Sequence, residues 1–315
     1  MDITIRRYDK ATDLQLWENL IANSRNATFM HHRAYMDYHS DRFEDCSLMA
    51  FKGNNLIAVL PANISGDTLC SHQGLTFAGW LCDYHHTNVN CMMEIFQAMR
   101  SWAKAQGIRH IIYKPIPHIY HRYPCEEDLY CLWRNGAQIV VSNISTTIEL
   151  NAPIRFNENA RRSIKLAQKN GITVGESTDL AGFWQILCQV LEDRHHTTPV
   201  HSLEEITLLQ SRFTKDIRLF TAQREGVLLG GTLIYESDRV AHAQYIASSP
   251  EGHRLKVLPL VFDHLVNSVY KDSKQYFDFG TSNEQDGVYL NAGLVTQKTG
   301  MGGRGIIYNI YKMDV

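Results

Sequence analysis

Apolar and polar positions recur along the chain in an order that appears twice. Each half predicts one strand, two helices, three strands, a helix, a strand, a helix and a last strand. In the first half these elements cover residues 3–8, 12–22, 29–39, 46–52, 56–64, 68–72, 89–106, 109–113, 126–134 and 138–149. In the second half they cover residues 172–176, 179–193, 202–213, 217–223, 227–236, 239–247, 255–270, 275–279, 285–297 and 306–311. A further polar helix over 157–169 opens the second half, so the pattern predicts two α+β domains.

The composition agrees with two folded domains in a reducing compartment. The chain has 315 residues, of which 44% are hydrophobic and 20% charged, which is enough for two cores. The seven cysteines include no CxxC pair, as is typical of buried free thiols. No apolar segment approaches the roughly 20 residues of a membrane span, and the first residues lack the apolar region of a signal peptide. We therefore expect a cytoplasmic protein without a transmembrane segment.

The charge distribution argues against a DNA-binding protein. Residues 1–150 carry 13 Lys and Arg against 15 Asp and Glu, a net charge of −2, and residues 151–315 carry 18 against 18, a net charge of 0. Neither half has the basic excess of a general nucleic-acid binder. A tRNA partner is disfavoured for the same reason, although a local basic patch would permit one.

The C-terminal stretch 276–312 holds the most informative motif. A predicted strand runs into the small polar segment 280–283 (GTSN), and Lys298 precedes a turn with four glycines within 300–305. Strands that end in small polar residues commonly deliver binding groups to a site, and glycine lets the backbone approach a ligand. Lys298 and Arg304 flank this turn with positive charge, and we expect Lys298 to be exposed there.

This stretch resembles the end of the second domain of the Fem-type aminoacyltransferases, relatives within the GNAT acyltransferase superfamily that carry a similar strand, loop and lysine-glycine segment. The duplicated order of elements is also similar to their tandem-GNAT architecture. The resemblance implies an α+β fold of two tandem GNAT-like domains, each a mixed, mainly antiparallel sheet flanked by helices. It places the N-terminal domain at 1–150 and the C-terminal domain, which would bind the donor and carry the catalytic residues, at 151–315.

The segment 242–257 is the donor site that the resemblance implies. In GNAT proteins the loop and helix N-terminus at this place hold the pyrophosphate of coenzyme A, and helix N–H groups and the helix dipole favour an anion there. The cofactor-binding candidates are small or basic: Ser248, Ser249, Gly252, His253 and Arg254. Acyl-CoA is therefore the expected co-substrate. A solvated turn between strand and helix is the alternative interpretation.

Four candidates for the chemistry follow from residue type and position. Asp278 alternates with two phenylalanines on its predicted strand and, together with Glu284, offers a carboxylate that accepts a proton from an amine. His201 is a candidate because imidazole transfers protons near neutral pH. The resemblance implies that Lys298 contacts a substrate phosphate or a developing oxyanion. A strand-end carboxylate that bonds the next loop is the alternative for Asp278.

A tyrosine protonates the leaving thiolate in many GNAT enzymes, and here the resemblance assigns that role to Tyr245, with Tyr289 and Tyr308 as alternatives. Packing in a half-buried position is the ordinary role of a tyrosine. No metal is expected, because no carboxylate lies at metal-ligand spacing from the histidines.

The candidates for substrate binding are basic or imidazole side chains. Arg161 and Lys165 lie four residues apart on one face of a predicted helix, where a phosphate-bearing substrate would find two charges. The resemblance implies that the loop with His195 and His196 helps to form the acceptor site, and Arg304 adds a charge beside the glycine turn. A solvated helix face and loop histidines without a role are the alternative interpretations.

We therefore expect an N-acyltransferase that moves an acyl group from acyl-CoA to an amine on a small molecule or a cell-envelope precursor, such as a peptidoglycan precursor. The alternative within enzymes is an aminoacyl-tRNA-dependent aminoacyltransferase. An alternative of another class is a non-catalytic protein that binds a nucleotide-linked ligand. Only Gly252 remains of the glycine pattern that GNAT proteins use for coenzyme A, which favours this last alternative.

Overall fold

The computed structural model describes residues 2–315, apart from the side chains of residues 194 and 195. The chain divides into two compact units. Unit 1 holds the chain up to Asn143 together with Asp286–Val288 and Ile307–Val315, and unit 2 holds Ile144–Gln285 and Tyr289–Ile306. The C-terminal strand thus contributes to unit 1, whereas the sequence places all residues after 150 in the second domain.

Unit 1 is built from short strands and four helices. Its strands are β1 (Ile3–Arg7), β2 (Glu44–Asp45), β3 (Leu48–Lys52), β4 (Asn55–Leu60), β5 (Asn63–Ser65), β6 (Thr68–Cys70), β7 (Leu81–Cys82) and β8 (His110–Tyr113). Its helices are α1 (Leu14–Ala22), α2 (Arg33–Met36), α3 (Val89–Ala105) and α4 (Glu127–Arg134). Strand β9 (Gln138–Glu149) starts in unit 1 and ends in unit 2. The last strand, numbered β17 below, starts in unit 2 and ends in unit 1.

The strands of unit 1 form two sheets. The first has the order β1-β3-β4-β7 and is antiparallel throughout. In the second, β2, β5 and β6 pair antiparallel, β6 pairs parallel with β8, and β8 pairs antiparallel with the end of the last strand. One buried face of α3 (Ile95, Phe96 and Met99) packs into the core of unit 1. Burial of such apolar area contributes the main stabilising free energy of the unit.

Unit 2 contains one large sheet and six helices. Its strands are β10 (Thr173–Ser177), β11 (Ile217–Arg224), β12 (Val227–Glu236), β13 (Val240–Ser248), β14 (Tyr276–Thr281), β15 (Asn283–Glu284) and β16 (Tyr289–Leu290), and the last strand of the chain is β17 (Arg304–Asp314). Its helices are α5 (Glu158–Lys169), α6 (Leu180–His195), α7 (Leu203–Arg212), α8 (Pro250–Arg254), α9 (Val257–His264) and α10 (Ala292–Gly300).

The sheet of unit 2 has the order β10-β11-β12-β13-β14-β9. All neighbours are antiparallel except β13 and β14, which run parallel. The core lies between this sheet and the helices α5 and α9, where Phe262 makes edge contacts with Phe277 and Phe279 at centroid distances of 5.9 and 5.0 Å. Mainly antiparallel sheets flanked by helices confirm the predicted fold class.

Capping residues and apolar periodicity in the sequence correctly predicted several elements of unit 2. Asn157 caps α5 through a bond from the Ala160 N–H, and the expected capping box between Ser202 and Glu205 opens α7. The apolar positions of α5 recur at helical spacing and face the core.

Four predicted elements are wrong. The helix expected over 285–297 is a hairpin of β15 and β16 followed by α10, because residues 285–287 all have positive φ. The helix expected from 255 starts at Pro250, behind the N-cap Ser249, and breaks at Lys256, whose φ is +59°. In unit 1, the strand expected over 56–64 is interrupted after Leu60, and the helix expected over 29–39 consists of short helical turns.

Burial of His31 in unit 1 makes the stability of this unit depend on pH. The imidazole is fully buried, its Nδ1 accepts a bond from the Thr28 N–H at 2.9 Å, and burial lowers its pKa to about 4. The unfolded chain takes up a proton near pH 6.5, so stability is complete above that pH and falls as the pH drops toward 4, by up to about 3 kcal/mol.

We expect His31→Asn to reduce this pH dependence, because asparagine does not titrate. Amide hydrogen exchange in α1 at neutral and acidic pH measures the opening free energy of unit 1. His85→Gln, at an exposed position of the same unit, is the control and should behave like the wild type. An equal loss of protection in wild type and His31→Asn would contradict this role of His31.

Candidate active site in unit 2

The strands β13 and β14 pair only at their beginnings. Three register pairs join them, and the last is His242 with Asp278. Beyond this point β13 continues to Ser248, whereas β14 passes through Gly280, whose φ is +77°, and pairs with β9 at Thr281. The two parallel strands therefore diverge directly after His242 and Asp278.

A bulge lies in β13 beside this divergence. Tyr245 pairs with Leu233 and Ala243 pairs with Ile234, so Gln244 is an extra residue on β13. A bulge removes a residue from the regular ladder and re-aims its polar backbone groups. Such backbone groups are suited to stabilise negative charge on a carbonyl oxygen.

Asp278 is fully buried at the point of divergence. Its Oδ1 accepts bonds from the hydroxyls of Ser145 (2.5 Å) and Thr147 (2.7 Å), and its Oδ2 lies 2.7 Å from Nδ1 of His242. Burial raises the pKa of Asp278, but the bonds from His242, Ser145 and Thr147 outweigh burial and lower the pKa. The expectation that Asp278 accepts a proton directly from an amine is therefore wrong, because the carboxylate is enclosed and already bonded.

His242 is the residue that the sequence analysis missed. Its side chain is 17% exposed and bonds Asp278 through Nδ1. No side chain separates the ring from Gly280, where a Cβ would lie 3.4 Å from Cε1 of His242. Strand alternation alone places His242 on a face of β13 but does not show that β13 pairs in parallel with β14.

Lys298 is buried in α10, with 6% of its surface exposed, so the expectation of an exposed lysine is wrong. Its Nζ donates to the carbonyls of Gly280 (2.9 Å) and Thr281 (2.8 Å) and to the Ser282 hydroxyl (3.0 Å). An ammonium has three N–H groups, and these acceptors use all of them. Burial lowers the pKa of Lys298 to about 8, against the opposing effect of the Asp278 charge. The lysine thus fixes the backbone that follows Asp278.

Tyr245 and His201, which the sequence presented separately, lie together. The Tyr245 hydroxyl is 2.6 Å from Nδ1 of His201, and its ring meets the ring of Trp184 edge-on at 5.0 Å. His201 is buried and Tyr245 half-buried. This pair is able to hold or pass a proton on β13 next to the bulge.

The other candidates are placed individually. Glu284 accepts a bond from the Asn291 amide at 2.8 Å, and Arg304 is exposed and bonds the Gly303 carbonyl. Arg161 is half-buried and Lys165 exposed, while His196 is exposed after α6. The side chain of His195 lies outside the described part of the structure.

The turn expected to hold a pyrophosphate is filled by its own residues. The Ser249 hydroxyl accepts the Gly252 N–H and donates to the Leu229 carbonyl, both at 3.1 Å. Gly252 is buried, and a Cβ there would lie 2.1 Å from the Leu229 oxygen. Packing against the Leu229 carbonyl therefore requires a glycine at position 252.

The charged residues of this turn are also paired. Glu251 bonds Arg224 at 2.6 Å and Arg254 at 3.3 Å, while His253 is exposed and Ser248 is buried at the end of β13. A carboxylate in the first turn of α8 opposes an anionic ligand. The expected helix N-terminus at Leu255 is the C-terminal end of α8 instead.

Unit 1 also contains a parallel pair of strands, β6 and β8, although β6 is not the counterpart of β13. By sheet order and by the helix that follows it, the counterpart of β13 is β7, which pairs with β4 at the end of the order β1-β3-β4-β7 and precedes α3. The backbone beyond the β6–β8 pair is occupied by the chain itself, because the Ser71 N–H bonds the Ile112 carbonyl and the Ala78 N–H bonds the Lys114 carbonyl. Gly74 lies against the buried ring of His39, so close that a Cβ would be 1.9 Å from Nε2. Of the two parallel pairs, β13 with β14 is the candidate for a ligand site.

Comparisons with known proteins show which domain family and which solved structures the chain is similar to. Residues 155–286 match the family model of the acetyltransferase (GNAT) domain. No curated protein matches the chain.

Solved structures share the fold over nearly the whole chain. FemX is 12% identical, with coverage of 99% of this chain and 97% of that chain and a TM-score of 0.69. L-PGS from Bacillus licheniformis is 11% identical (97% and 92% covered, TM-score 0.63), and a tandem GNAT protein from the clavulanic acid biosynthesis pathway is 10% identical (99% and 98% covered, TM-score 0.52). The expected Fem-like, tandem-GNAT resemblance is thus confirmed as a resemblance of fold.

Within residues 2–315, no helix has the length and apolar character needed to cross a bilayer. Among the side chains that the structure describes, which exclude those of residues 194 and 195, no group of three or more His, Cys, Asp or Glu residues is placed to hold a metal ion.

We expect Lys298→Ala to destabilise unit 2 by about 2–3 kcal/mol, because it removes three bonds, one to the buried Ser282 hydroxyl and two to partly buried carbonyls. The midpoint of urea unfolding measures this loss. Lys165→Ala, on the exposed face of α5, is the matched control and should stay within about 0.5 kcal/mol of the wild type. Equal midpoints for the two variants would contradict the structural role of Lys298.

Gly252→Ala should destabilise unit 2 by about 1–3 kcal/mol, because the added methyl overlaps the Leu229 carbonyl. Gly175→Ala is the control, since a Cβ there meets no atom within 4 Å. Thermal unfolding of both variants provides the comparison. A Gly252→Ala protein as stable as Gly175→Ala would restore the interpretation of Gly252 as a residue that makes room for a ligand.

Proposed function

We propose that the chain is an N-acyltransferase whose reaction takes place in unit 2. The observation that carries this proposal is the divergence of β13 and β14 after His242 and Asp278, with a bulge at Gln244 beside it. An acyl carbonyl placed between the strands would meet the re-aimed backbone of β13. The match of residues 155–286 to the GNAT domain supports the same reaction class.

The acyl donor is better explained as an aminoacyl ester carried by tRNA than as acyl-CoA. The turn 248–254 offers coenzyme A no free helix N-terminus, because Ser249 caps Gly252 and Glu251 adds a negative charge. An ester donor does not need a pyrophosphate site in this turn.

The acceptor is a primary amine on a small molecule or a cell-envelope precursor. Arg161, Lys165 and Arg304 belong to unit 2 and are at least partly exposed, so they are available to bind phosphate groups of such a precursor. In this proposal Tyr245, held by His201, gives a proton to the leaving oxygen. Lys298 acts indirectly, by fixing the backbone after Asp278.

Acyl-CoA remains the second candidate donor because of the match to an acetyltransferase domain and because Arg254 and Lys256 are exposed cations after the turn. A protein that binds a nucleotide-linked ligand without catalysis is the candidate of another class.

A transfer assay distinguishes these candidates. Purified protein receives either tRNA charged with radiolabelled amino acids or radiolabelled acetyl-CoA, with Nα-acetyl-lysine amide as the amine. We expect labelled amide from charged tRNA only, and no heat of binding when coenzyme A is titrated to millimolar concentration in a calorimeter.

If coenzyme A binds and Arg254→Ala weakens this binding by about 1.5–3 kcal/mol, the donor is acyl-CoA instead. No product from either donor would favour the non-catalytic alternative and reject the proposed function.

A further inference from the structure

The imidazole of His242 is held in a defined orientation at the last register pair of β13 and β14, where the two strands diverge. Its Nδ1 lies 2.7 Å from Oδ2 of Asp278, and the hydroxyls of Ser145 and Thr147 hold the other carboxylate oxygen. Because an ionised carboxylate only accepts hydrogen bonds, Nδ1 carries a proton, and in the neutral imidazole Nε2 therefore carries the lone pair.

The side of the ring that includes Nε2 is turned toward the divergence. Gly280 is the neighbour there, and even a Cβ on this residue would lie 4.0 Å from Nε2. The positive φ of Gly280 (+77°) excludes most side chains, so no side chain at this position covers the ring. The 17% exposure of His242 contrasts with the complete burial of Asp278.

Asp278 fixes the register of its neighbouring strands, but this structural role does not explain why its partner on β13 is a histidine. Replacement of a buried ion pair by apolar residues is often neutral or stabilising, so stability alone does not require the pair. A buried acid that orients a partly exposed histidine is an arrangement suited to proton transfer.

We propose that His242 is the general base that deprotonates the acceptor amine, and that Asp278 is the positioning residue that fixes its tautomer. This inference rests on the proposed acyl transfer and adds the residue that prepares the nucleophile.

The acceptor arrives as R–NH₃⁺, and Nε2 of His242 takes one proton. The freed nitrogen lone pair forms the C–N bond to the acyl carbon, while the C=O π pair moves to oxygen. When that pair returns, the bond from carbon to the leaving oxygen breaks, this oxygen takes the hydroxyl proton of Tyr245, and the resulting tyrosinate takes the second proton of the attacking nitrogen. The products are an amide, the freed alcohol and an imidazolium, which releases its proton to water.

Two amines test this role in the transfer assay. The lysine amine has a pKa of about 10.4 and must lose a proton before it attacks, whereas hydroxylamine is already neutral near neutral pH. We expect His242→Gln to slow transfer to Nα-acetyl-lysine amide by about 10²–10⁴-fold and transfer to hydroxylamine far less. Asp278→Asn should change the ratio of the two rates in the same direction.

His85→Gln is the control and should change neither rate, since this histidine is exposed in unit 1. An equal loss with both amines in a folded His242→Gln protein would overturn the assignment of His242 as base and leave the proposed acyl transfer intact. No product from the wild type with either amine would reject both.

The tautomer provides a readout that does not depend on any substrate. Nitrogen-15 chemical shifts should show Nδ1 of His242 protonated and Nε2 unprotonated in the wild type. Asp278→Asn should shift this balance, and Thr147→Val should do so more weakly if the asparagine variant fails to fold. A wild-type His242 with its proton on Nε2 would overturn the inference, because no lone pair would then face the cleft.

Discussion

The buried carboxylate of Asp278 is the constraint on which the architecture of unit 2 depends. A charge removed from water is tolerated only when it is paired and hydrogen-bonded. Here β9 supplies the hydroxyls of Ser145 and Thr147, and β13 supplies the imidazole of His242. Because these donors come from the strands on both sides of β14, the carboxylate fixes the register of three strands at the point where two of them diverge.

Lys298 extends this constraint to the backbone beyond Asp278. After Asp278, β14 no longer pairs with β13, and its carbonyls at Gly280 and Thr281 turn to the lysine. Partly buried carbonyls without partners would be costly, so the ammonium stabilises the departure of β14 from its neighbour. Lys298, which the sequence suggested as a substrate contact, thus stabilises the backbone conformation after Asp278. Its positive charge also favours the ionised form of Asp278.

The elements that the sequence predicted well are those specified by neighbouring residues. The capping box of α7 and the apolar face of α5 are local patterns, so both helices could be predicted from the sequence. The pairing of His242 with Asp278 joins positions 36 residues apart, and that of Ser145 with Asp278 joins positions 133 residues apart. Such pairs depend on strand order, which periodicity does not reveal.

The turn 248–254 shows a different limit of the sequence. Its serines and its glycine fit a phosphate-binding loop by composition, yet in the structure Ser249 caps α8. Gly252, for its part, makes room for the Leu229 carbonyl. The same residue types serve both purposes, because small size and hydrogen-bonding capacity are what a phosphate and a tightly packed turn each require. Only the positions of neighbouring backbone atoms separate the two interpretations.

The two units show that a parallel pair of strands is not by itself a site. Unit 1 contains such a pair, β6 with β8, and unit 2 contains β13 with β14. In unit 1 the chain after β6 bonds the backbone of β8 and of the residue that follows it, so these backbone groups are already used by the polypeptide itself. In unit 2 the chain after β13 enters α8, and a histidine oriented by a buried acid lies where β14 departs. Since backbone polar groups must be satisfied, groups that already bond one another are not available to a ligand. Whether a parallel pair can take part in chemistry therefore depends on the connection that follows its first strand, a feature of a few residues that the shared fold leaves free to vary.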